Sequence, residues 1–164
     1  YCSEGGSGIW ATGGRYALAE DEALILSVPA MELVYQNIQL GNVWAESLDY
    51  ANRQTSLNGF QAHLDSDGLY RYVFAHEDPG VPNWLDVSGQ PEGSMFMRWV
   101  RTAGNVAPPQ PEAKVVALNE LREHLPVDTP VISAEERAAT LKMRLAAVNR
   151  RRSPAGFASL EATP

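Results

Sequence analysis

The sequence contains one cysteine, three histidines and no long apolar run. The lone thiol of Cys2 excludes a disulfide scaffold, and a spanning helix needs about 18 consecutive apolar residues. A metal centre needs several His, Cys or carboxylate groups close together, and His63, His76 and His124 do not follow a ligand spacing. We therefore predict no metal, no cofactor and no membrane span.

Basic residues are also scarce in most of the chain. Residues 1–132 contain 7 Lys and Arg against 17 Asp and Glu, a net charge of −10, whereas residues 133–164 contain 6 against 3, a net charge of +3. Because an acidic body repels phosphate backbones, nucleic acid is not an expected partner. The basic run at 150–152 is typical of a solvated helix terminus.

A targeting signal cannot be identified at the start of the chain. The sequence begins with Tyr1, without a charged segment followed by an apolar one. We expect that this start arises by processing or truncation of a longer protein. The compartment stays open, with a cytoplasmic location favoured.

Strand-like segments come first along the chain and helical segments last. Without alternation of strands and helices, this order predicts a mostly β protein, an antiparallel β-sandwich or jelly roll with a C-terminal helical arm. The predicted regions are a flexible Gly-rich lead-in at 1–14, the sandwich at 15–117, helices at 118–152 and a disordered tail at 153–164.

Within the sandwich, two segments carry specific expectations. Residues 60–65 and 69–76 flank Ser66-Asp67-Gly68, which predicts a hairpin in which Phe60 faces Phe74. Residues 32–40 predict a strand with one apolar face, whereas its second face, containing Tyr35 and Asn37, is polar. That polar face belongs either to a cleft or to a solvated sheet surface.

The C-terminal region predicts a long capped helix. Ser133 with Glu136 three residues later forms a capping-box pattern. An apolar stripe follows at helical spacing and must pack on some surface, either the protein's own sheet, a missing domain or another subunit. The stripe consists of Ala138, Leu141, Leu145 and Val148.

The segment 76–93, called the 76–93 loop below, is unusual because it contains three prolines, three glycines and a tryptophan. Proline fixes the backbone, and shaped loops on a rigid scaffold often bind ligands. Trp84 offers a flat apolar face with a polar edge, and Asn83 beside it is both donor and acceptor. We predict a ligand site at Trp84 and Asn83, with Tyr35, Asn37 and Trp44 contributing. The alternative is that Trp84 closes one end of the sandwich.

The acids of the 76–93 loop allow a catalytic hypothesis. Asp78 and Asp86, helped by His76, could share acid and base work on a glycosidic bond. The competing interpretation is that each Asp side chain caps a turn, because Pro-Gly and Ser-Gly sequences follow. Arg98 alternates with Phe96 and is predicted to anchor the loop through one of these carboxylates.

Several motifs together carry a family resemblance. Residues 78–86, Asp-Pro-Gly-Val-Pro-Asn-Trp-Leu-Asp, are the most specific, and the pattern extends over roughly residues 15–152. Supporting segments are Asp21-Glu22-Ala23-Leu24, Tyr35-Gln36-Asn37-Ile38-Gln39-Leu40 with Trp44, Ser47-Leu48-Asp49-Tyr50, Gly89, Arg98-Trp99, Leu121-Arg122, His124-Leu125-Pro126 and Ser133 with Glu136-Arg137-Ala138. The chain thereby resembles the bacterial family called domain of unknown function 1214.

The resemblance implies a C-terminal jelly-roll domain that follows an N-terminal region. The family's jelly rolls are similar to those of peptide N-glycanases and copper monooxygenases, which is an analogy of fold alone. The scarcity of histidine argues against copper. The resemblance supplies no catalytic residue.

The sequence therefore favours a recognition domain of a larger bacterial protein, with a small organic or carbohydrate-like ligand at Asn83 and Trp84. One alternative is a glycosidase-like or amidase-like hydrolase that uses Asp78 and Asp86. Another is a structural domain that docks a missing N-terminal region or another subunit through the C-terminal helix.

Overall fold

The computed structural model describes residues 3–4 and 8–152 and shows a two-sheet β-sandwich with one C-terminal helix. This confirms the predicted fold class. The first sheet has the order β1-β2-β8-β4-β5 and the second β7-β6-β3-β9. The elements are β1 (Ser3–Glu4), β2 (Ile9–Ala17), β3 (Glu22–Pro29), β4 (Leu33–Gly41), β5 (Ser56–Asn58), β6 (Leu69–Ala75), β7 (Trp84–Asp86), β8 (Glu92–Thr102), β9 (Glu112–Ala117) and α1 (Ala134–Arg152).

The main core lies between the facing sheets. Alternate residues of the central strands point inward, as the two-residue period of a strand requires. Trp99, Tyr72, Phe74, Ile38 and Met97 are almost completely buried there. The neighbouring strands pair antiparallel except β6 and β7, which run parallel.

The two sheets differ in their outer faces. The second sheet is covered on its outside by the 76–93 loop and by a 3-10 helix, Leu118–His124, which enclose a second core containing Val73, Val81 and Leu121. Burial on both faces explains the unbroken apolar run 72–75, since each residue meets a packed layer. On the outer face of the first sheet, β4 carries polar side chains and β8 carries the exposed Phe96, and α1 covers this face only in part.

The Gly-rich start is more ordered than predicted. Residues 9–14, assigned from sequence to a flexible lead-in, belong to β2, which pairs with β8 along its whole length. Gly13 and Gly14 lie opposite Phe96 and Met95, whose side chains occupy the space above them. Pairing with a long central strand thus overcomes the low strand propensity of glycine. Cys2 and the predicted tail at 153–164 lie outside the described residues.

The predicted hairpin is only half correct. The turn exists, because Gly68 has φ +82° and the backbone N–H of Asp65 donates to the Leu69 carbonyl at 2.9 Å. Residues 60–65 form no strand, however, and Phe74 pairs with Leu24 of β3 while Phe60 is exposed. The Asn58 side chain accepts from the N–H groups of Phe60 and Gln61, and this local turn ends β5.

Helix α1 begins as predicted. The Glu136 N–H donates to Ser133 Oγ at 3.2 Å and the Ser133 N–H donates to Glu136 Oε2 at 2.8 Å, a complete capping box. The predicted stripe is docked only in part. Val148 is buried and Leu141 half-buried, whereas Ala138 and Leu145 are exposed, and Arg137, outside the stripe, is buried instead. No helix in the described part of the chain is long and apolar enough to cross a membrane.

Candidate functional site

Trp84 lies in the second core. It begins β7, its side chain is 7% exposed, and its indole Nε1 donates to the Ala75 carbonyl at 3.1 Å. The guanidinium of Arg137, from α1, lies 5.3 Å from the centroid of the indole ring. The flat face expected to meet a ligand is therefore occupied by protein. The ligand site predicted at Trp84 is corrected to the alternative, a side chain that closes the outside of the second sheet.

Asn83 is also used inside the protein. Its Oδ1 accepts from the His63 N–H at 2.7 Å and its Nδ2 donates to the His63 carbonyl at 2.8 Å. Buried Gln54 donates to the Trp84 carbonyl at 2.6 Å. These bonds fix the 76–93 loop to the segments that precede and follow β5. Both ends of the Asn83 amide are thus bonded within the protein and the residue is buried, which does not favour the predicted ligand role.

The two loop carboxylates have separate structural partners. Asp78 accepts from the Gly80 N–H at 2.9 Å and from Arg137 Nε at 2.8 Å. Asp86 accepts from the Ser88 N–H at 2.6 Å and from Arg53 Nη1 at 3.0 Å. Each side chain thus caps a turn, which was the competing interpretation, and each pairs with a different arginine. His76 Nε2 lies 3.2 Å from the Leu18 carbonyl. The hydrogen bonds of Asp78 and Asp86 given above do not include His76.

The predicted role of Arg98 is wrong. Its side chain is exposed, on the outer face of the first sheet, opposite Asn37 of β4. The inward-facing residues of β8 are Met95, Met97 and Trp99. Arg137 and Arg53 hold the loop acids instead. Because β8 carries large apolar side chains on both faces, the alternation of apolar and polar residues did not identify which face is buried.

A cleft of about 570 Å³ opens between the outer face of the first sheet and α1. Tyr35, Asn37 and Gln39 of β4 form its floor, as the cleft interpretation of that polar face predicted. Trp44, 82% exposed, does not line it. We call this site the helix cleft; it is lined by Tyr35, Asn37, Gln39, Leu40, Ser47, Leu48, Tyr50, Thr55, Ser56, Leu57, Asn58, Gln61, Arg144, Ala147, Val148, Arg151 and Arg152.

Hydrogen-bonding side chains dominate the helix cleft. They comprise three amides besides Asn37, three hydroxyls, two phenols and three guanidinium groups, and no Asp, Glu, His, Lys or Cys is among the described residues that line it. Arg144 is central because it also fastens the helix. Its Nη1 donates to the Ser56 carbonyl at 2.9 Å and its Nη2 to Ser56 Oγ at 3.0 Å.

The sequence patterns did not identify four residues of the helix cleft: Arg144, Ser56, Asn58 and Tyr50. One signal was present in the charge distribution, since the C-terminal segment is basic while the rest is acidic. We interpreted that segment as a solvated terminus. Arg144 and Arg151, seven residues apart on α1, fall on one side of the helix, which faces the sheet. In the described part of the chain, no group of three or more His, Cys, Asp or Glu could hold a metal.

Comparisons with known proteins show similarity to solved structures of unassigned activity. The chain is similar to an uncharacterised protein from Burkholderia cenocepacia, with 35% identity and a TM-score of 0.65 over 70% of this chain and 31% of that one. A protein from Vibrio parahaemolyticus is 18% identical, with a TM-score of 0.50 over 65% of this chain and 30% of that one. Neither a family model nor a curated protein matches the chain.

The comparisons support the fold and leave the function open. The chain spans about a third of the length of both solved proteins. The resemblance to domain of unknown function 1214 stays a prediction, because no family model matches the chain.

Proposed function

We propose that this domain recognises a small polar organic ligand of carbohydrate-like character, bound in the helix cleft. The observation that carries the proposal is the lining of the helix cleft, where amide, hydroxyl and phenol side chains converge from β4, β5 and the segment that joins them. The proposal keeps the ligand class predicted from the sequence and moves the site away from Trp84.

The volume and the chemistry of the helix cleft both suit such a ligand. Ligand pockets typically enclose about 300–1,000 Å³, and the cleft has about 570 Å³. Sugar hydroxyls both donate and accept, as does the side-chain amide of Asn37. The amide oxygens of Asn58 and Gln61 accept backbone N–H groups in the turn after β5, so these two residues offer their amide N–H groups as donors. Tyr35 and Tyr50 are 45% and 42% exposed, so each offers part of an aromatic ring to the apolar side of a sugar.

The lining favours recognition over catalysis. General acid–base chemistry on a glycosidic bond needs paired carboxylates, and the described lining contains none. Asp78 and Asp86 lie outside the helix cleft and are held by Arg137 and Arg53. Hydrolysis by these acids and docking of another chain through α1 stay predictions from the sequence, and no contact in the helix cleft favours either.

The test is an NMR titration of the ¹⁵N-labelled protein with a panel of mono- and disaccharides. Substitution Asn37→Ala removes a donor and an acceptor from the floor of the helix cleft and should weaken binding about tenfold, the usual effect of losing a hydrogen bond to ligand. Asn149→Ala is the matched control, since Asn149 is exposed on α1 and does not line the cleft.

We expect saturable shifts in the amides of β4, β5 and the C-terminal half of α1, with affinity lowered by Asn37→Ala alone. Shifts confined to the 76–93 loop, or equal effects of the two substitutions, would contradict the proposal.

A further inference from the structure

This inference rests on the proposed function and concerns the charge of the ligand. Three arginines, Arg144, Arg151 and Arg152, line the helix cleft, and no described lining residue is acidic. The cleft therefore concentrates positive charge within a chain whose net charge is −7. Binding of a neutral sugar would not require this excess of positive charge in the helix cleft.

Arg144 differs from the other arginines of the domain that are buried or half-buried, Arg71 and Arg137. Arg71 pairs with Asp65 at 2.7 Å and Arg137 pairs with Asp78 at 2.8 Å. Among the described residues, Arg144 donates only to neutral oxygens, the carbonyls of Ser56 and Tyr50 and the Ser56 hydroxyl. Its Nε is buried without a hydrogen-bond partner among the described residues.

No carboxylate in the described part of the chain compensates the charge of this guanidinium. Burial lowers the pKa of Arg144 below its usual value, yet arginine stays protonated in proteins. Removing a cation from water is costly unless an opposite charge accompanies it. Arg151 and Arg152 follow two turns later on α1 and add two further cations at the same opening.

The helix terminus does not cancel this positive charge. The C-terminal end of a helix carries about half a negative elementary charge, which repels a nearby anion. The three arginines together carry a positive charge several times larger than this negative charge. An anion near the guanidinium groups would also gain charge-assisted hydrogen bonds, which are about twice as strong as neutral ones.

We propose that the ligand of the helix cleft is an acidic carbohydrate whose carboxylate or phosphate group contacts Arg144, Arg151 and Arg152. The amides and phenols of β4 and β5 bind the neutral part of the ring. A uronic acid and a sugar phosphate present the same anionic chemistry, and a titration distinguishes them.

The experiment compares matched ligands by NMR at constant ionic strength. D-glucuronate and D-glucose 6-phosphate differ from D-glucose at one carbon, and inorganic phosphate tests the arginines without a sugar. We expect saturable shifts in the helix cleft with phosphate and with at least one acidic sugar, and an affinity for D-glucose at least about tenfold lower. The stronger of the two acidic sugars identifies the anionic group.

The variants leave Arg144 intact because it fastens α1 to Ser56. The double substitution Arg151→Gln/Arg152→Gln should weaken binding of the acidic sugar about tenfold and reduce its salt dependence. Lys142→Gln/Arg150→Gln removes the same charge from exposed positions outside the lining and should change affinity little.

The outcomes separate the two proposals. If D-glucose binds the helix cleft as tightly as the acidic sugars, or if both double variants behave alike, the anionic class is wrong and recognition in the cleft stands. If neither the sugars nor phosphate shift the residues of the cleft, both proposals are overturned.

Discussion

The 76–93 loop and the helix cleft are opposite in how they use polar groups. In the loop, Asn83, Asp78 and Asp86 all bind other parts of the protein. In the helix cleft, Tyr35 is exposed and Arg144 faces no carboxylate in the described chain. A shaped loop rich in proline can thus use its polar side chains to hold the fold together, whereas the helix cleft leaves polar side chains available.

The largest effect should come from Trp84→Ala. Removing a buried aromatic side chain leaves a cavity and should lower the free energy of unfolding by about 3–5 kcal/mol. Urea unfolding measures this, with Trp44→Ala as the matched control because Trp44 is 82% exposed. Equal stability of the two variants would restore Trp84 as a ligand-binding residue.

Arg137→Ala should have the next largest effect. Arg137 binds Asp78, donates to the Val81 carbonyl at 2.6 Å and lies over the Trp84 ring. Losing these contacts should cost about 3 kcal/mol in the free energy of unfolding. Arg98→Ala is the control, and we expect a change below about 0.5 kcal/mol there. The opposite order would restore Arg98 as the anchor of the loop.

Alkaline pH should weaken the fold through Tyr16. Burial, with a smaller contribution from the negative charge of Asp86, raises the pKa of Tyr16 to about 12. The unfolded chain ionises its tyrosines near pH 10, so the stabilisation is complete below that pH and is lost between pH 10 and 12.

This loss should amount to about 2 kcal/mol, measured as the fall in urea-unfolding free energy between about pH 9 and 11.5. Tyr16→Phe should show a shallower fall over the same range. Parallel pH profiles for the two proteins would mean that folding does not raise the pKa of Tyr16.

Ser133→Ala should have the smallest effect. Loss of the N-cap hydroxyl of α1 costs about 1 kcal/mol, because the Glu136 N–H loses its acceptor. Ser133 lies between the 76–93 loop and the helix cleft, because the N–H of its neighbour Ile132 donates to the Gly80 carbonyl of the loop. Thermal unfolding compares it with Ser66→Ala, an exposed turn residue, and no difference would show that docking alone holds the helix start.

The fold was largely predictable from local patterns. Alternation in β4, the capping box at Ser133 and the turn at Gly68 depend on neighbours in sequence. The strand at 9–14 could not be predicted, because glycine there is held by pairing with distant β8. The prediction of a strand at 60–65 was wrong for a local reason. The Asn58 side chain forms a turn there that the apolar pattern did not reveal.

The candidate site was predictable only in part. The polar face of β4 indicated a cleft through Tyr35 and Asn37, both of which line it. Its other wall comes from Arg144, about 90 residues away in sequence from its partner Ser56. That contact depends on where α1 returns to the sheet, which no local pattern encodes.

The most direct test is a chemical-shift map of the protein with D-glucuronate and D-glucose 6-phosphate, followed at two reporters. We predict that the amides of Asn37 and Asn58 move saturably with at least one of these ligands, while the indole N–H of Trp84, bonded to Ala75, stays in place. Movement of the Trp84 indole with no change at Asn37 and Asn58 would contradict the assignment of the site to the helix cleft.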